Sequence, residues 1–229
     1  MTPVLEISNL GFRYETRTVL RGITFQLRAG ESVGLVGANG SGKSTLLWCV
    51  AGLLCGSGEV RLFGAKPSNV TRRRIGMVFQ NPEDQLFMPT LLQDLALPLV
   101  NQGVKPEDAQ AAAQDWLQRF GLGRQTTSPA THLSLGQRKR AAVALAMIRK
   151  PEFLILDEPT AELDGRAIRQ LSRTLNDLTV TKLIASHHLD FLRATTSRLI
   201  LLNDGEVRAE GATASILDDS ALLEESGLI

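Results

Sequence analysis

Short apolar runs bounded by glycines mark the N-terminal part of the chain. VLEIS (4–8), ITFQL (23–27), SVGLVG (32–37), GEVRLFG (58–64) and RRIGMVF (73–79) have the length and the boundaries of β-strands. SVGLVG is apolar enough for a strand buried on both faces, and it runs straight into a glycine-rich loop. KSTLLWCVAGLL (43–54) then reads as a helix with an apolar face. From about residue 81 to 150 the pattern changes. This stretch is rich in Ala, Leu and Gln, and EDAQAAAQDWLQRFGL (107–122) and LGQRKRAAVALAMIRK (135–150) carry strong helix formers at helical spacing. Strands then return in EFLILDE (152–158), TKLIASH (181–187), RLILLN (198–203) and EVRAEG (206–211), the last two joined by an Asp-Gly hairpin signal. The C-terminal residues 213–229 read as polar helical turns. The pattern predicts one α/β domain over residues 1–229, its strand-rich core made of about 1–80 and 151–229, with a helical subdomain inserted at about 81–150.

Candidate chemistry sits where the strands end. GANGSGKST spans Gly37, Ala38, Asn39, Gly40, Ser41, Gly42, Lys43, Ser44 and Thr45, and matches the phosphate-loop pattern GxxxxGK[ST] between a buried strand and a helix. Its glycines let the backbone approach a polyphosphate, and successive N–H groups at the helix start form an anion nest. Lys43 is placed to reach the β- and γ-phosphates and Ser44 to hold Mg²⁺. A glycine-rich turn alone explains the glycines but not the Lys-Ser pair. FLILDEPT (153–160) supplies the matching half: a buried strand with Asp157 at its C-terminal end, suited to Mg²⁺, and Glu158 next to it, suited to polarise a water as general base. Strand alternation predicts that the two acids face different ways. Without the upstream loop, the pair would read as an ordinary acidic helix start.

Composition narrows the partners. The 229 residues carry a net charge of +1, which argues against nucleic acid as the main ligand, and the basic triplets at 72–74 and 138–140 read as solvated faces. The two cysteines, Cys49 and Cys55, have no metal-binding spacing and read as reduced, mostly buried thiols. The longest apolar stretches, 46–55 and 141–148, are too short to span a bilayer.

Further motifs carry a family resemblance. LSLGQRKR (133–140) resembles the LSGGQ signature of ATP-binding-cassette proteins, VFQNPEDQLF (78–87) their Q-loop with Gln80 after a strand, and AELD (161–164) their D-loop. IASHHLD (184–190) resembles their switch-histidine segment with His187 at the matching position, and FRYE (12–15) puts Tyr14 where the family stacks an aromatic ring on adenine. The motifs occur in the family's order along almost the whole chain. The resemblance implies a phosphate-loop, RecA-like ATPase core with an N-terminal antiparallel β subdomain and the inserted helical subdomain. It also implies hydrolysis of ATP with Mg²⁺ and a dimer, with itself or with a similar ATPase, in which the signature of one chain faces the phosphate loop of the other. Within the family, 80–94 and 101–104 are similar to the ATPases of energy-coupling-factor importers, and 132–148 and 218–228 look most like their cobalt and nickel branch, while LLQDLALPLV (91–100) departs from the usual pattern. This implies a peripheral subunit on the cytoplasmic face of a membrane, bound to a transmembrane energy-coupling subunit and a substrate-binding membrane subunit.

On this resemblance Glu158, His187, Gln80 and Lys43 are the catalytic candidates, and Ser44, Gln80 and Asp157 the metal ligands. Tyr14, residues 37–45, Ser134, Gly136, Gln137 and Asp164 are the nucleotide contacts. Ser134 and Gln137 also have the spacing of a capping box, and Asp164 that of an ordinary helix cap. Leu135, in place of the signature's first glycine, is expected to be helical and turned from nucleotide. Adjacent His187 and His188 chelate poorly on a strand, so His187 reads as a γ-phosphate sensor, and His188 has no assigned role. Import of cobalt or nickel competes with import of a vitamin or another small solute. It also competes with a soluble cassette ATPase acting on DNA or ribosomes, against which the chain has no long coiled-coil insert between Lys43 and Ser134 and only one cassette. A small-molecule kinase would leave the signature and His187 unexplained.

Overall fold

The computed structural model describes residues 2–229. In chain order the elements are β1 Leu5–Tyr14, β2 Arg17–Leu27, β3 Ser32–Val36, α1 Lys43–Val50, β4 Ser57–Leu62, α2 Asn69–Arg72, β5 Ile75–Val78, α3 Leu91–Val100, α4 Pro106–Arg119 and α5 Leu135–Met147. They continue with β6 Phe153–Asp157, α6 Gly165–Asn176, β7 Thr181–Ala185, α7 Leu189–Thr195, β8 Arg198–Asn203, β9 Glu206–Ala212, α8 Thr213–Leu217 and α9 Ser220–Glu225. All nine strands expected from the apolar runs are present. Helices α2, α3, α6 and α7 were not marked by the pattern.

Two sheets form. An antiparallel three-stranded sheet has the order β2-β1-β4, and a six-stranded sheet has the order β5-β6-β7-β3-β8-β9, parallel except for the β8–β9 hairpin. Strand alternation divides the interior. Val33, Leu35, Phe153, Ile155, Leu183 and Ile200 face one cluster, which also holds Leu46, Leu47 and Val50 of α1 and the apolar face of the three-stranded sheet. Val36, Leu154, Leu156, Ile184, Leu199 and Leu201 face the other cluster, shared with α3, α4, α5, α6 and α7. Helix α1 is therefore clamped between the two sheets. The segment between β5 and β6 is helical, and its core is continuous with one face of the six-stranded sheet.

The helix ends follow local chemistry. Helix α4 starts with Pro106 and the acids Glu107 and Asp108 and ends with Arg119, in accord with a fixed N1 φ and the helix dipole. Helix α5 starts on a complete capping box: Gln137 N donates to Ser134 Oγ at 3.3 Å, and Ser134 N donates to Gln137 Oε1 at 2.8 Å. Because β3, β5, β6 and β7 are parallel, their C-terminal ends open on one edge of the sheet, the edge where open α/β sheets bind ligands.

Candidate active site

The loop after β3 wraps the start of α1. Ser41 N donates to Ala38 O at 3.1 Å to close the turn. Gly42 has φ 104° and caps α1 with no side-chain bond, so the helix's first N–H groups face outward without a side-chain acceptor. A Cβ at Gly37 would lie 2.4 Å from Leu202 O, so only glycine allows the loop to pass this close to β8. Lys43 is buried at 6% exposure and its ammonium donates to Gly37 O at 2.8 Å and Ala38 O at 3.2 Å. Ser41 Oγ is buried without a partner. Uncapped N–H groups, a buried ammonium and an orphaned hydroxyl at one helix start fit a polyphosphate.

Asp157 ends β6 and is 3% exposed. Ser44 Oγ donates to Asp157 Oδ1 at 3.1 Å. Burial pushes the Asp157 carboxyl above its ordinary range and the Ser44 hydroxyl partly opposes it; Glu158 raises it further, while Lys43 and Lys139 lower it. A buried carboxylate held up in this way, next to a hydroxyl, is a hard-oxygen pair that suits Mg²⁺.

Glu158 lies just beyond β6, not within it. Its φ is +44°, a left-handed backbone, so its orientation is set by the turn after β6 and not by the expected strand alternation. Its carboxylate joins two groups. His187 Nδ1 lies 2.8 Å from Oε2, which also accepts from His187 N at 3.3 Å, and Lys43 Nζ lies 3.7 Å from Oε1. Glu158 N donates to Ala185 O at 2.9 Å, which brings the ends of β6 and β7 together.

Glu158 and His187 border one open hollow of about 490 Å³, along with Tyr14, Asn39, Gly40, Gly42, Lys43, Ser44, Thr45 and Gln80, while Asp157 does not line it and is joined to it through Ser44. Tyr14 stands on its rim at 43% exposure, edge-on to Phe12. Ser134, Gly136, Gln137 and Asp164 are not in this hollow. They border a second one of about 290 Å³ with Leu135, Glu162 and Arg166. Asp164 caps α6 by accepting from Ala167 N at 2.7 Å. Leu135 is the first residue of α5, in helical geometry as expected, and it borders the second hollow.

Other expectations change. Lys139 of the 138–140 triplet is 2% exposed: its ammonium donates to Gln80 O and, at 3.3 Å, to Glu158 O. Arg140 Nη1 donates to Phe120 O at 3.1 Å, so the triplet is not a solvated face. The missed signal is spacing, since Lys139 shares the helix face of buried Ala142 and Val143. His188 caps α7 by accepting from Phe191 N at 3.2 Å on Nδ1. Cys49 is buried, its thiol pushed up to about 11 by burial, but Cys55 is exposed. Thr160 Oγ1 and Ser186 Oγ, 3.0 Å apart and buried, join the ends of β6 and β7 and were not expected.

Comparison with known proteins gives a consistent picture. The family model described as ABC transporter matches residues 20–161. A putative ABC transporter ATP-binding protein of Gloeobacter violaceus is 44% identical over 100% of this chain and 97% of its own length. An energy-coupling factor transporter ATP-binding protein of Methanosphaera stadtmanae is 36% identical over 100% of this chain and 86% of its own. Among solved structures, cbiO1 of Clostridium perfringens, part of the ABC transporter complex cbiONQ, superposes with TM-score 0.87 at 29% identity, covering 100% of this chain and 96% of that one. A dimeric ATP-binding cassette in a post-hydrolysis state bound to ADP and Pi superposes with TM-score 0.82 at 27% identity, covering 91% and 98%.

Proposed function

The chain belongs to the ABC transporter family of ATP-hydrolysing subunits, and on that premise we propose that it drives an energy-coupling-factor importer that takes up a transition-metal ion, cobalt or nickel. ATP enters the hollow of β3, α1, β6 and β7. Tyr14 stacks on the adenine. The loop N–H groups and Lys43 hold the phosphates, with Lys43 exchanging its bonds to Gly37 O and Ala38 O for phosphate oxygens. Ser44, Asp157 and Gln80 would hold Mg²⁺, which would supply positive charge to neutralise the phosphates. Glu158, oriented by His187 through Oε2, takes the proton of the attacking water, and His187 and Gln80 report the γ-phosphate. Catalysis comes from positioning and charge stabilisation.

The observation that carries this reading is the division of the site residues. One chain's hollow holds the phosphate loop, Glu158 and His187, while Ser134, Gly136, Gln137 and Asp164 border a different hollow. A dimer, of this chain with itself or with a similar ATPase, completes each site by setting the start of α5 against the other chain's γ-phosphate. The likeness to cbiO1, part of the ABC transporter complex cbiONQ, supports assembly with other transporter subunits, while the metal cargo and the cytoplasmic membrane face rest on the sequence resemblance alone. Relatives named for energy-coupling factor transporters support the importer class, and within it a second reading is import of a vitamin or another small solute. Among the described residues no helix is long and apolar enough to cross a membrane. Co-purification with the membrane subunits and ATP-dependent uptake of radiolabelled Co²⁺, Ni²⁺ and a vitamin panel test the cargo. Uptake of the metals alone is expected; uptake of a vitamin alone would sink the metal reading and retain the second.

A further inference from the structure

We propose that Lys139 is a positioning residue for hydrolysis: its buried ammonium, carried on α5, ties the backbones of Gln80 and Glu158 together and holds both side chains at the phosphate loop. This rests on the reading of Glu158 as general base. Lys139 is 2% exposed, and its Nζ donates to the carbonyls of Gln80 and Glu158, two residues 78 positions apart in the chain that both border the nucleotide hollow. An ammonium is costly to bury without partners, so a lysine kept here with two carbonyl acceptors is held by them. Burial pulls its pKa down, and the carboxylates of Glu162, Glu158 and Asp157 oppose that, so the group sits in a field set by the site's own acids.

The Glu158 backbone shows why a tie is needed. At φ +44° it occupies a region that non-glycine residues rarely populate and that persists only where the surroundings enforce it. Its N–H is held by Ala185 O at 2.9 Å, and its carbonyl by Ala161 N at 3.1 Å and by Lys139. Release of that carbonyl lets the peptide relax and swings the carboxylate off His187. The same ammonium fixes the Gln80 carbonyl where the chain leaves β5, and Arg138, one residue earlier, lies 3.7 Å from Glu83 on the segment that follows. The helix that begins at Ser134 on the second hollow thus reaches, one turn later, under the first.

The test uses the full chain and steady-state ATP hydrolysis, with a fluorescent ATP analogue for affinity and thermal melts for folding. Lys139→Met and Lys139→Gln are made alone and in the Glu158→Gln background. Lys139→Met is expected to lower kcat by about tenfold to a hundredfold, the size of loss that follows a misplacement of about 1 Å, with KM and analogue affinity within about twofold of wild type. Lys139→Gln, which keeps a donor, recovers part of kcat. With Glu158→Gln already present, Lys139→Met lowers the residual rate by a smaller factor, because one of the two groups it positions is gone and only Gln80 remains. Wild-type kcat in Lys139→Met overturns the proposal, as does a parallel loss of affinity or an equal fold-loss in the Glu158→Gln background. If Lys139→Met does not fold, Lys139→Gln decides: reduced kcat with unchanged affinity supports the proposal, and unchanged kcat overturns it. Wild-type hydrolysis in Glu158→Gln alone would sink the general-base reading and this proposal with it, whereas failure of the Lys139 variants alone sinks only the proposal.

Discussion

Tyr14 has an exposed ring beside the phosphate loop, and its edge-on contact with Phe12, centroids 4.8 Å apart, fixes the plane it offers to a base. Stacking there contributes about 1 kcal/mol, so Tyr14→Ala should raise KM for ATP about fivefold and leave kcat near wild type. Steady-state kinetics check this, and an unchanged KM would place the adenine elsewhere. The roles of Lys43, Ser44 and Asp157 are legible in sequence because local covalent order sets them: the loop residues are consecutive, and Asp157 is fixed to the end of an apolar strand. The burial of Lys139 is not legible, because a lysine in a charged triplet becomes an interior group only when the β5–α3 connection and the end of β6 fold over the same helix face. The left-handed Glu158 escapes for the same reason. A run of apolar residues ending in two acids announces a strand, but the peptide flip after Asp157 is imposed by contacts with Ala185 and Lys139.

Helix α3 shows what one element does for the segment leading out of the site. Asp94 in its first turns is 3% exposed; its Oδ1 accepts from Phe87 N at 3.0 Å and Met88 N at 2.9 Å, and Oδ2 has no partner. Burial raises the Asp94 carboxyl above 3.8, and the two backbone N–H groups only partly offset this. A carboxyl whose pKa is raised by folding is protonated more readily in the folded state. Its folded-state penalty is therefore present at neutral pH and relieved as pH falls through the raised value. Asp94→Asn keeps the acceptor and cannot titrate. The stability of wild type relative to Asp94→Asn should rise in urea unfolding as pH falls from neutral through the raised value toward the ordinary carboxylate range. A difference that is flat or shrinks on acidification would mean that the buried carboxylate is fully compensated. The strands were legible from glycine-bounded apolar runs. Helix α3 was not, since Pro98 lies inside it and its sequence departs from the pattern that carries the family resemblance, and neither was α6, which opens on Gly165 after the Asp164 cap.

At the scale of the molecule, the sequence announces the strands of the six-stranded sheet but not their order, because parallel pairing depends on crossovers through distant helices. The placement of β3 between β7 and β8 brings the phosphate loop beside the ends of β6 and β7, and it leaves the start of α5 on another face. If the hollow at Ser134 is half of a shared site, as proposed, a mixing experiment is decisive. Lys43→Ala disables the phosphate half. Gly136→Asp sets a carboxylate at the signature half, where a Cβ lies 3.1 Å from Ala167 Cβ and needs only a small shift to fit. Each variant alone should be inactive as a dimer of identical chains. In a mixed dimer one site carries both lesions and the other carries neither, so an equal mixture should regain about a quarter of wild-type hydrolysis, half of its dimers being mixed with one working site each. Dimer formation in each preparation is checked by light scattering. If dimers form and Gly136→Asp alone hydrolyses ATP normally, so that the mixture keeps about half of wild-type hydrolysis, each chain completes its own site, and the hollow at Ser134 serves something other than the partner's nucleotide.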